Sequence, residues 1–190
     1  MLVLASSSPY RRMLLDRLRI PYSVAVPAVD EAPLRGEAPA DTAKRLAQLK
    51  ARAVSGDFPD ALVIGSDQVA SLDGAPIGKP GEHAAALAQL MAMRGRSVVF
   101  NTAVCVLDAR RGASLIECVP TTVTFRDYSD AQAERYLQID QPYDCAGSAK
   151  IEAMGIALVR EVVSPDPTAL IGLPLIALVG MLQQSGIEVL

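Results

Sequence analysis

The sequence predicts one α/β domain (α+β in its central part) built on a mixed β-sheet. Early in the 190-residue chain, short aliphatic runs alternate with helical runs, which is typical of parallel strands joined by helices. Two long β-rich runs in the middle are separated only by turn residues, which indicates an antiparallel hairpin. No internal repeat or linker interrupts the chain, so we expect a single domain over residues 1–190, with two lobes around a cleft.

The early part of the chain supplies three strands and two helices. Residues 2–5 form an aliphatic run that predicts a buried strand. Ser8 and Pro9 predict the start of a helix, because Ser is a good N-cap and Pro suits the first helical position. A strand over 22–26, a helix from 41 to about 54 and a strand over 61–65 follow, and the last of these ends at the polar residues Ser66, Asp67 and Gln68.

The later part of the chain supplies the hairpin and three more helices. Gly95 ends one helix, and the capping-box pattern from Ser129 to Gln132 opens the next. In chain order the predicted elements are a Gly- and Pro-rich loop over 73–81, a helix over 82–94, the hairpin strands over 97–107 and 114–125, a helix from 129 to about 137, a strand over 156–161 and a helix over 175–184.

Composition and cysteine usage exclude several classes of protein. Lys and Arg number 18 and Asp and Glu 21, so the net charge of −3 does not suit a nucleic-acid coat protein, and we expect no nucleic-acid partner. Three cysteines, with no CxxC pair, indicate a reducing compartment. The first residues lack the basic region of a signal peptide, and the longest apolar stretch, 171–182, falls well short of the ~20 residues of a membrane span. We therefore expect a cytoplasmic protein with no membrane partner.

The segment from Ser6 to Arg12 lies where the first strand leads into a helix. Helix N-termini present unpaired amide hydrogens, and the hydroxyls of Ser6 and Ser8 with the guanidinium of Arg11 add donors, so the segment suits a phosphate. Plain N-capping by Ser8, with arginines on the surface, explains the same residues. Both interpretations stay open on local grounds.

The polar segment after the strand at 61–65 predicts an acid in a ligand site. Open α/β sheets bind ligands at the carboxyl edge of their strands, where Asp67 is expected and where a carboxylate can orient a water or take its proton. Capping of the next turn by Asp67 is an equal alternative. Lys79, in a Gly- and Pro-rich loop that lacks Walker spacing, is either a phosphate-binding charge or a plain loop lysine.

The remaining polar segments are less informative by themselves. His83, the only histidine, opens a predicted helix and is expected to face solvent, which argues against a Ser-His-Asp hydrolase. Glu31 and Lys50 are compatible with ordinary surface positions. The bend around Gly147 either brings Lys150 and Glu152 to a ligand or forms a tight turn with a surface pair.

These segments, in this order, resemble the Maf family of nucleoside triphosphate pyrophosphatases. The chain is most similar to the branch that hydrolyses 7-methyl-GTP, because of Tyr10, the Asp67-Gln68 pair and Glu152. The matching pieces span almost the whole chain: LASSSPYRR at 4–12, VDE at 29–31, Lys50, IGSDQV at 64–69, GKP at 78–80, CAGSAKIE at 145–152 and IGLPLIAL at 171–178.

The resemblance implies a fold, a reaction and a set of site residues. The fold would be of the Maf/ITPase-like type, a mixed, curved β-sheet with flanking helices and two lobes around a deep cleft, often in a homodimer. The reaction would be cleavage between the α- and β-phosphates with a divalent metal, Mg²⁺ or Mn²⁺. Asp67 carries over as the catalytic acid–base residue, and Glu31 and Asp67 as metal ligands. Six residues carry over as phosphate-facing positions: Ser6, Ser8, Arg11, Lys50, Lys79 and Lys150.

The chemistry of 7-methyl-GTP suggests roles for the three specificity positions. N7-methylation makes guanine cationic, which favours an aromatic face such as that of Tyr10. Glu152 is expected to accept hydrogen bonds from the base edge, and Gln68 to read or position the base. The alternatives are a dTTP/UTP pyrophosphatase of the same family and a nucleotide-binding cell-division regulator without turnover. A nucleic-acid-binding module is disfavoured by the charge.

Overall fold

A computed structural model of the chain describes residues 1–190 and has a mixed seven-stranded sheet at its centre. The strand order is β2-β1-β3-β5-β6-β7, with β4 paired to β3. Strands β1, β2 and β3 are parallel, and the remaining pairs are antiparallel. The strands are β1 (Leu2–Ala5), β2 (Ser23–Ala25), β3 (Leu62–Leu72), β4 (Ala75–Ile77), β5 (Ser97–Asp108), β6 (Ala113–Phe125) and β7 (Val159–Val163); the helices are α1 (Pro9–Asp16), α2 (Pro39–Ser55), α3 (His83–Met93), α4 (Asp130–Asp140) and α5 (Leu175–Gln184).

Alternation of side chains along the strands divides the core between the two faces of the sheet. In β1, Leu2 and Leu4 pack in the core that also contains residues of α1 and α5. Val3 and Ala5 point to the opposite face, where the small residues of α2 cover the sheet. A third cluster, centred on Phe100 and containing residues of α3 and α4, covers the far end of the sheet.

The predicted fold class is confirmed, with one correction that bears on the site. We expected a strand over 61–65 with Asp67 at its carboxyl edge, but β3 continues to Leu72. It continues because β5 pairs with it without interruption from Leu62 to Ser71. Asp67 therefore lies in the middle of a long strand. The loop predicted over 73–81 also contains a short strand, β4, which pairs back onto the end of β3.

An opening in the sheet lies on one side of β3. The parallel partner β1 ends where Ala5 pairs with Gly65, and β4 begins to pair only at Ala70. Between these points β3 has a neighbouring strand, β5, on one side only. Asp67 and Gln68 are in this interval, so the polar residues that suggested the end of a strand mark a gap beside it.

Gly65 lets α2 approach β3 more closely than any other residue would allow. A Cβ atom at this position would lie 2.0 Å from the carbonyl oxygen of Ala47 and 2.9 Å from the amide nitrogen of Ala51. The backbone of α2 is therefore in direct contact with β3. Ala51 is adjacent to Lys50, and Gly65 is two residues from Asp67, so this contact brings the two side chains together.

Two further observations concern predictions made from composition. No helix of the protein is both long enough and apolar enough to cross a membrane. The three cysteines, Cys105, Cys118 and Cys145, are all free thiols.

Candidate active site

A cavity of about 700 Å³ opens beside the gap in the sheet. It brings together side chains from α1, α2, β3 and the loops at 27–37, 76–80, 144–152 and 170–172. Ten of the residues singled out from the sequence line it: Ser6, Ser8, Tyr10, Arg11, Glu31, Lys50, Asp67, Gln68, Lys79 and Glu152. Lys150 does not.

Lys50 lies at the centre of the polar side chains in this cavity. Its Nζ is 2.7 Å from Oδ1 of Asp67 and 2.7 Å from Oε1 of Glu31. Lys50 and Asp67 are only 6% and 7% exposed. Burial of a charge is costly unless it is paired, and here one ammonium pairs with two carboxylates. The local interpretation of Lys50 as a surface lysine is therefore wrong.

The two carboxylates of this cluster differ in their surroundings. Burial alone would raise the pKa of Glu31, but the hydrogen bond and charge of Lys50, with the charges of Lys79 and Arg11, hold it below its ordinary value. Asp67 hydrogen-bonds Lys50 through Oδ1 only, so Oδ2 has no partner within the protein. A carboxylate oxygen that faces a cavity without a partner is able to accept a proton from water.

The strand-to-helix segment caps α1 and also lines the cavity, so the two interpretations left open are compatible. Ser8 caps α1, since its hydroxyl accepts from the amide of Arg11, and the hydroxyl of Ser6 accepts from the amide of Ser8. The same residues line the cavity. Arg11 donates from Nε to the carbonyl oxygen of Gly172 at 2.9 Å, and its two terminal nitrogens have no protein partner. The guanidinium is thus anchored at one end and free to bind an anion at the other.

The remaining predicted residues lie around the rim. Lys79 is exposed and makes no ion pair, so its charge is available to a ligand. Burial raises the pKa of Tyr10, Lys150 opposes this, and Glu152 adds to it. Tyr10 and Glu152 both line the cavity, and together they form its Tyr10–Glu152 wall.

Lys150 is bound to neighbouring parts of the chain and does not line the cavity. Its Nζ donates to the carbonyl of Asp140 at 3.3 Å and forms an ion pair with Asp144 at 3.4 Å. Asp144 does line the cavity. The contacts of Lys150 are consistent with support of the 144–152 loop, and its predicted contact with phosphate remains a prediction.

Gln68 has a different set of contacts from the one expected of a residue that reads a base. Its Nε2 lies 2.9 Å from Oγ1 of Thr102, 3.1 Å from the carbonyl of Ala169 and 3.0 Å from that of Leu170. The amide hydrogens are therefore used within the protein. Gln68 fastens the 169–172 segment, whose last carbonyl, that of Gly172, holds Arg11.

Sequence reasoning missed a second ion pair that shapes the cavity. Arg45 makes two parallel bonds to Glu37, from Nε at 2.7 Å and from Nη2 at 2.8 Å, and Nη2 also donates to the carbonyl of Ala32 at 3.1 Å. The hydrogen bond from Arg45 is the main cause that lowers the pKa of Glu37 to about 2. The pair fixes the loop that carries Glu31. Glu37 precedes α2 and is eight residues from Arg45, so the pair does not show the i,i+3 or i,i+4 spacing by which helical ion pairs are recognised.

His83 is more engaged than a solvent-facing helix residue. Its Nδ1 lies 2.9 Å from the hydroxyl of Tyr143, and its Nε2 lies 2.9 Å from a carboxylate oxygen of Glu134. The ring is 40% exposed, so the expected exposure is only part of its environment. His83 connects α3, α4 and the loop before Asp144, and it does not line the cavity.

The donor set at the centre of the cavity suits a hard divalent cation. The protein contains no cluster of three or more His, Cys, Asp or Glu residues arranged to hold a metal ion. Glu31 and Asp67 nevertheless both contact the ammonium of Lys50, which occupies the point between them, so their two carboxylates lie close together beside the cavity. Mg²⁺ is commonly held by one or two carboxylates together with substrate phosphates, and this pair fits that pattern.

Comparison with known proteins adds a family and close relatives. The family model described as Maf-like protein matches residues 1–185. A protein of Paraburkholderia xenovorans named 7-methyl-GTP pyrophosphatase is 61% identical over 192 residues, which cover 100% of this chain and 94% of the relative. Proteins of the same name from Cupriavidus metallidurans and Methylobacillus flagellatus are 60% and 58% identical, covering 97% and 100% of this chain and 93% and 98% of the relatives.

Proposed function

The chain belongs to the Maf-like protein family, and on that premise we propose that it hydrolyses 7-methyl-GTP to 7-methyl-GMP and pyrophosphate, which removes a modified nucleotide from the pool. The relatives from three genera that carry this activity in their names, at 58–61% identity over nearly the whole chain, support the substrate. The observation that carries the reaction is the convergence of Asp67, Lys50 and Glu31 in one cavity of about 700 Å³.

Asp67 is the general base of this proposal. Its Oδ1 is held by Lys50, which leaves Oδ2 to accept a proton from a water molecule. The oxygen of the deprotonated water attacks the α-phosphorus. The bond from this phosphorus to the oxygen that bridges the α- and β-phosphates breaks, and pyrophosphate leaves with the electron pair of that bond. The ion pair with Lys50 orients the carboxylate without using its second oxygen.

The charges around the cavity match a triphosphate. The substrate brings about four negative charges, which the free ends of Arg11 and Lys79 and the ammonium of Lys50 would offset. Glu31 would be the principal ligand of a divalent cation, Mg²⁺ or Mn²⁺, with Asp67 as the second, since Oδ1 of Asp67 is held by Lys50 and its Oδ2 serves as the base. Such a cation neutralises charge on the phosphate oxygens when it is bound.

The wall formed by Tyr10 and Glu152 is proposed to select the base. The cationic 7-methylguanine ring favours the face of Tyr10, and the carboxylate of Glu152 accepts from donors at the guanine edge that uracil and thymine lack. Loss of one buried hydrogen-bond partner costs ~1–3 kcal/mol, which corresponds to roughly tenfold or more in discrimination.

A nucleotide panel tests this function. Pyrophosphate release is measured for 7-methyl-GTP, GTP, dTTP and UTP, with and without Mg²⁺, for the wild type, Asp67→Asn and the control Asp57→Asn. Asp57 is exposed and does not line the cavity. We expect preference for 7-methyl-GTP, a requirement for the cation, and a loss of about 100-fold or more in Asp67→Asn alone. A preference for dTTP or UTP would contradict the substrate, and nucleotide binding without release would favour a regulator.

Two expectations from the sequence remain predictions. A homodimer is checked by the mass of the purified protein in solution. A cytoplasmic location, which the three free thiols favour, is checked by cell fractionation.

A further inference from the structure

We propose that Gln89 of α3 is a positioning residue that fixes the distance between two sides of the cavity, one at Gly78 and Lys79 and the other at 145–152. This inference rests on the proposed function, since it assigns the Lys79 side of the cavity to the phosphates and the 145–152 side to the base. The two sides come from separate parts of the chain. Gly78 and Lys79 follow the short strand β4, and Cys145 to Ala149 contain only a single 3-10 turn. No regular element runs from one side to the other, so their separation depends on contacts with neighbouring elements.

The side-chain amide of Gln89 bonds to both sides at once. Its Nε2 donates to the carbonyl of Gly78 at 3.1 Å, next to Lys79. Its Oε1 accepts from the hydroxyl of Ser148 at 2.6 Å. The orientation of the amide follows from chemistry, because a carbonyl oxygen only accepts and must face the NH₂ group. The oxygen is then left for the hydroxyl.

Ser148 gains from this bond because its backbone is in an unusual conformation. It is fully buried and has a φ of +53°, in the left-handed region that residues other than glycine rarely adopt. It follows Gly147, at a φ of +72°, where a Cβ atom would lie 3.3 Å from the ring of Phe100. This tight bend places Cys145 and Ala146 at the cavity, and the Gln89 bond holds it to α3.

The first turn of α3 joins the same two sides a second time. The amide of Gly81, just before α3, donates to the carbonyl of Tyr143 at 3.0 Å. His83 in turn contacts the hydroxyl of Tyr143. Helix α3 is therefore bonded to Tyr143 near its start and to Ser148 in its middle, and Gln89 also bonds the loop that carries Lys79.

Two substitutions separate the two bonds of Gln89. In Gln89→Glu the carboxylate still accepts from Ser148 but repels the carbonyl of Gly78, so only the phosphate side is released. In Ser148→Gly the hydroxyl is lost while the left-handed conformation is retained, so only the base side is released. Gln48→Glu is the matched control: Gln48 lies on α2, donates to the hydroxyl of Ser114 at 3.1 Å and does not line the cavity.

The measurements are the inhibition constant of inorganic pyrophosphate and the ratio of kcat/KM for 7-methyl-GTP to that for UTP. We expect Gln89→Glu to raise the pyrophosphate constant about five- to tenfold with the ratio unchanged, and Ser148→Gly to lower the ratio by a similar factor with the pyrophosphate constant unchanged. If Gln89 and Ser148 only stabilised the fold, their variants would have a lower melting temperature and a smaller active fraction. The pyrophosphate inhibition constant and the kcat/KM ratio would then be the same as in Gln48→Glu.

Each outcome decides the matter. If Gln89→Glu is folded and active and both measured quantities are unchanged, this inference is overturned and the proposed function is not. If that variant does not fold, an unchanged ratio in Ser148→Gly overturns it instead. A wild type that releases no pyrophosphate from any nucleotide would overturn the proposed function, and this inference with it.

Discussion

The ammonium of Lys50 lies 2.7 Å from the carboxylate of Asp67, and both side chains are nearly inaccessible to solvent. A buried ion pair is weak evidence for stability by itself, because desolvation offsets much of its attraction. The pair lies at the gap beside β3 and lines the cavity, which favours a catalytic role over a stabilising one. Removal of Lys50 leaves the carboxylate of Asp67 buried without compensation, whereas removal of Asp67 leaves Lys50 paired with Glu31.

Lys50→Met therefore tests stability and activity together. We expect the free energy of unfolding to fall by about 3–5 kcal/mol, the usual loss when one partner of a buried pair is removed. We also expect pyrophosphate release to fall by about 100-fold or more, since Asp67 and Glu31 lose the group that orients them. Urea unfolding and the nucleotide assay measure the two effects. Lys44→Met, on the exposed side of the same helix, is the control, and equal behaviour of the two variants would contradict the assignment.

This pair also illustrates what the sequence does and does not predict. The aliphatic run from Leu2 to Ala5, the early alternation of strands with helices and the turn residues between β5 and β6 predict the mixed sheet, because these signals are local. The continuation of β3 through Asp67 was missed, since Asp67 and Gln68, which suggested the end of a strand, line a cavity built from distant segments. Each site residue was compatible with an ordinary surface role by itself. Only the order of the motifs along the chain joined them.

Gly65→Ala tests whether the contact of α2 with β3 assembles the site. A methyl group there would lie 2.0 Å from the carbonyl oxygen of Ala47, a backbone atom that cannot move without the helix. We expect the free energy of unfolding to fall by about 1–3 kcal/mol or more. Activity should fall further than the loss of folded protein explains, because displacement of α2 moves Lys50 away from Asp67. Thermal unfolding and the nucleotide assay check this.

Gly56→Ala provides the comparison for Gly65→Ala. Gly56 ends the same helix with an ordinary φ of −63°, and a Cβ atom there would meet nothing within 4 Å. This substitution should be neutral or slightly stabilising. Equal tolerance at the two glycines would show that the helix has room to shift.

The pair of Glu37 and Arg45 predicts a pH dependence of stability. The pKa of Glu37 falls to about 2 in the folded protein from an ordinary value of 4.5, chiefly through its hydrogen bond from Arg45. A lowered pKa means that the stabilisation is fully present above pH 4.5 and is lost as the pH falls toward 2. Melting temperatures of the wild type and Glu37→Gln should therefore differ at pH 7 and converge at acid pH.

Glu117→Gln controls for the loss of a carboxylate, since Glu117 is exposed on β6 and makes no ion pair. Its melting temperature should follow that of the wild type at every pH. A difference between the wild type and Glu37→Gln that persists unchanged below pH 3 would mean that the ionised pair is not what stabilises the 30–38 loop.

Gln68→Met distinguishes the two roles available to Gln68. As a reader of the base it should affect the preference for 7-methyl-GTP over UTP. As an anchor of the 169–172 segment it should instead weaken binding of phosphate, because Met cannot donate to the carbonyls of Ala169 and Leu170. The segment that holds Arg11 then keeps only the bonds from Thr102 and Ser66. We expect KM and the inhibition constant of pyrophosphate to rise by about tenfold, with the preference between bases retained.

Gln138→Met, on the exposed side of α4, should change neither quantity. A lost preference with unchanged pyrophosphate inhibition would return Gln68 to the base and remove the anchoring role, because an anchor that acts through Arg11 cannot alter the contacts of the base while it leaves those of the phosphates intact.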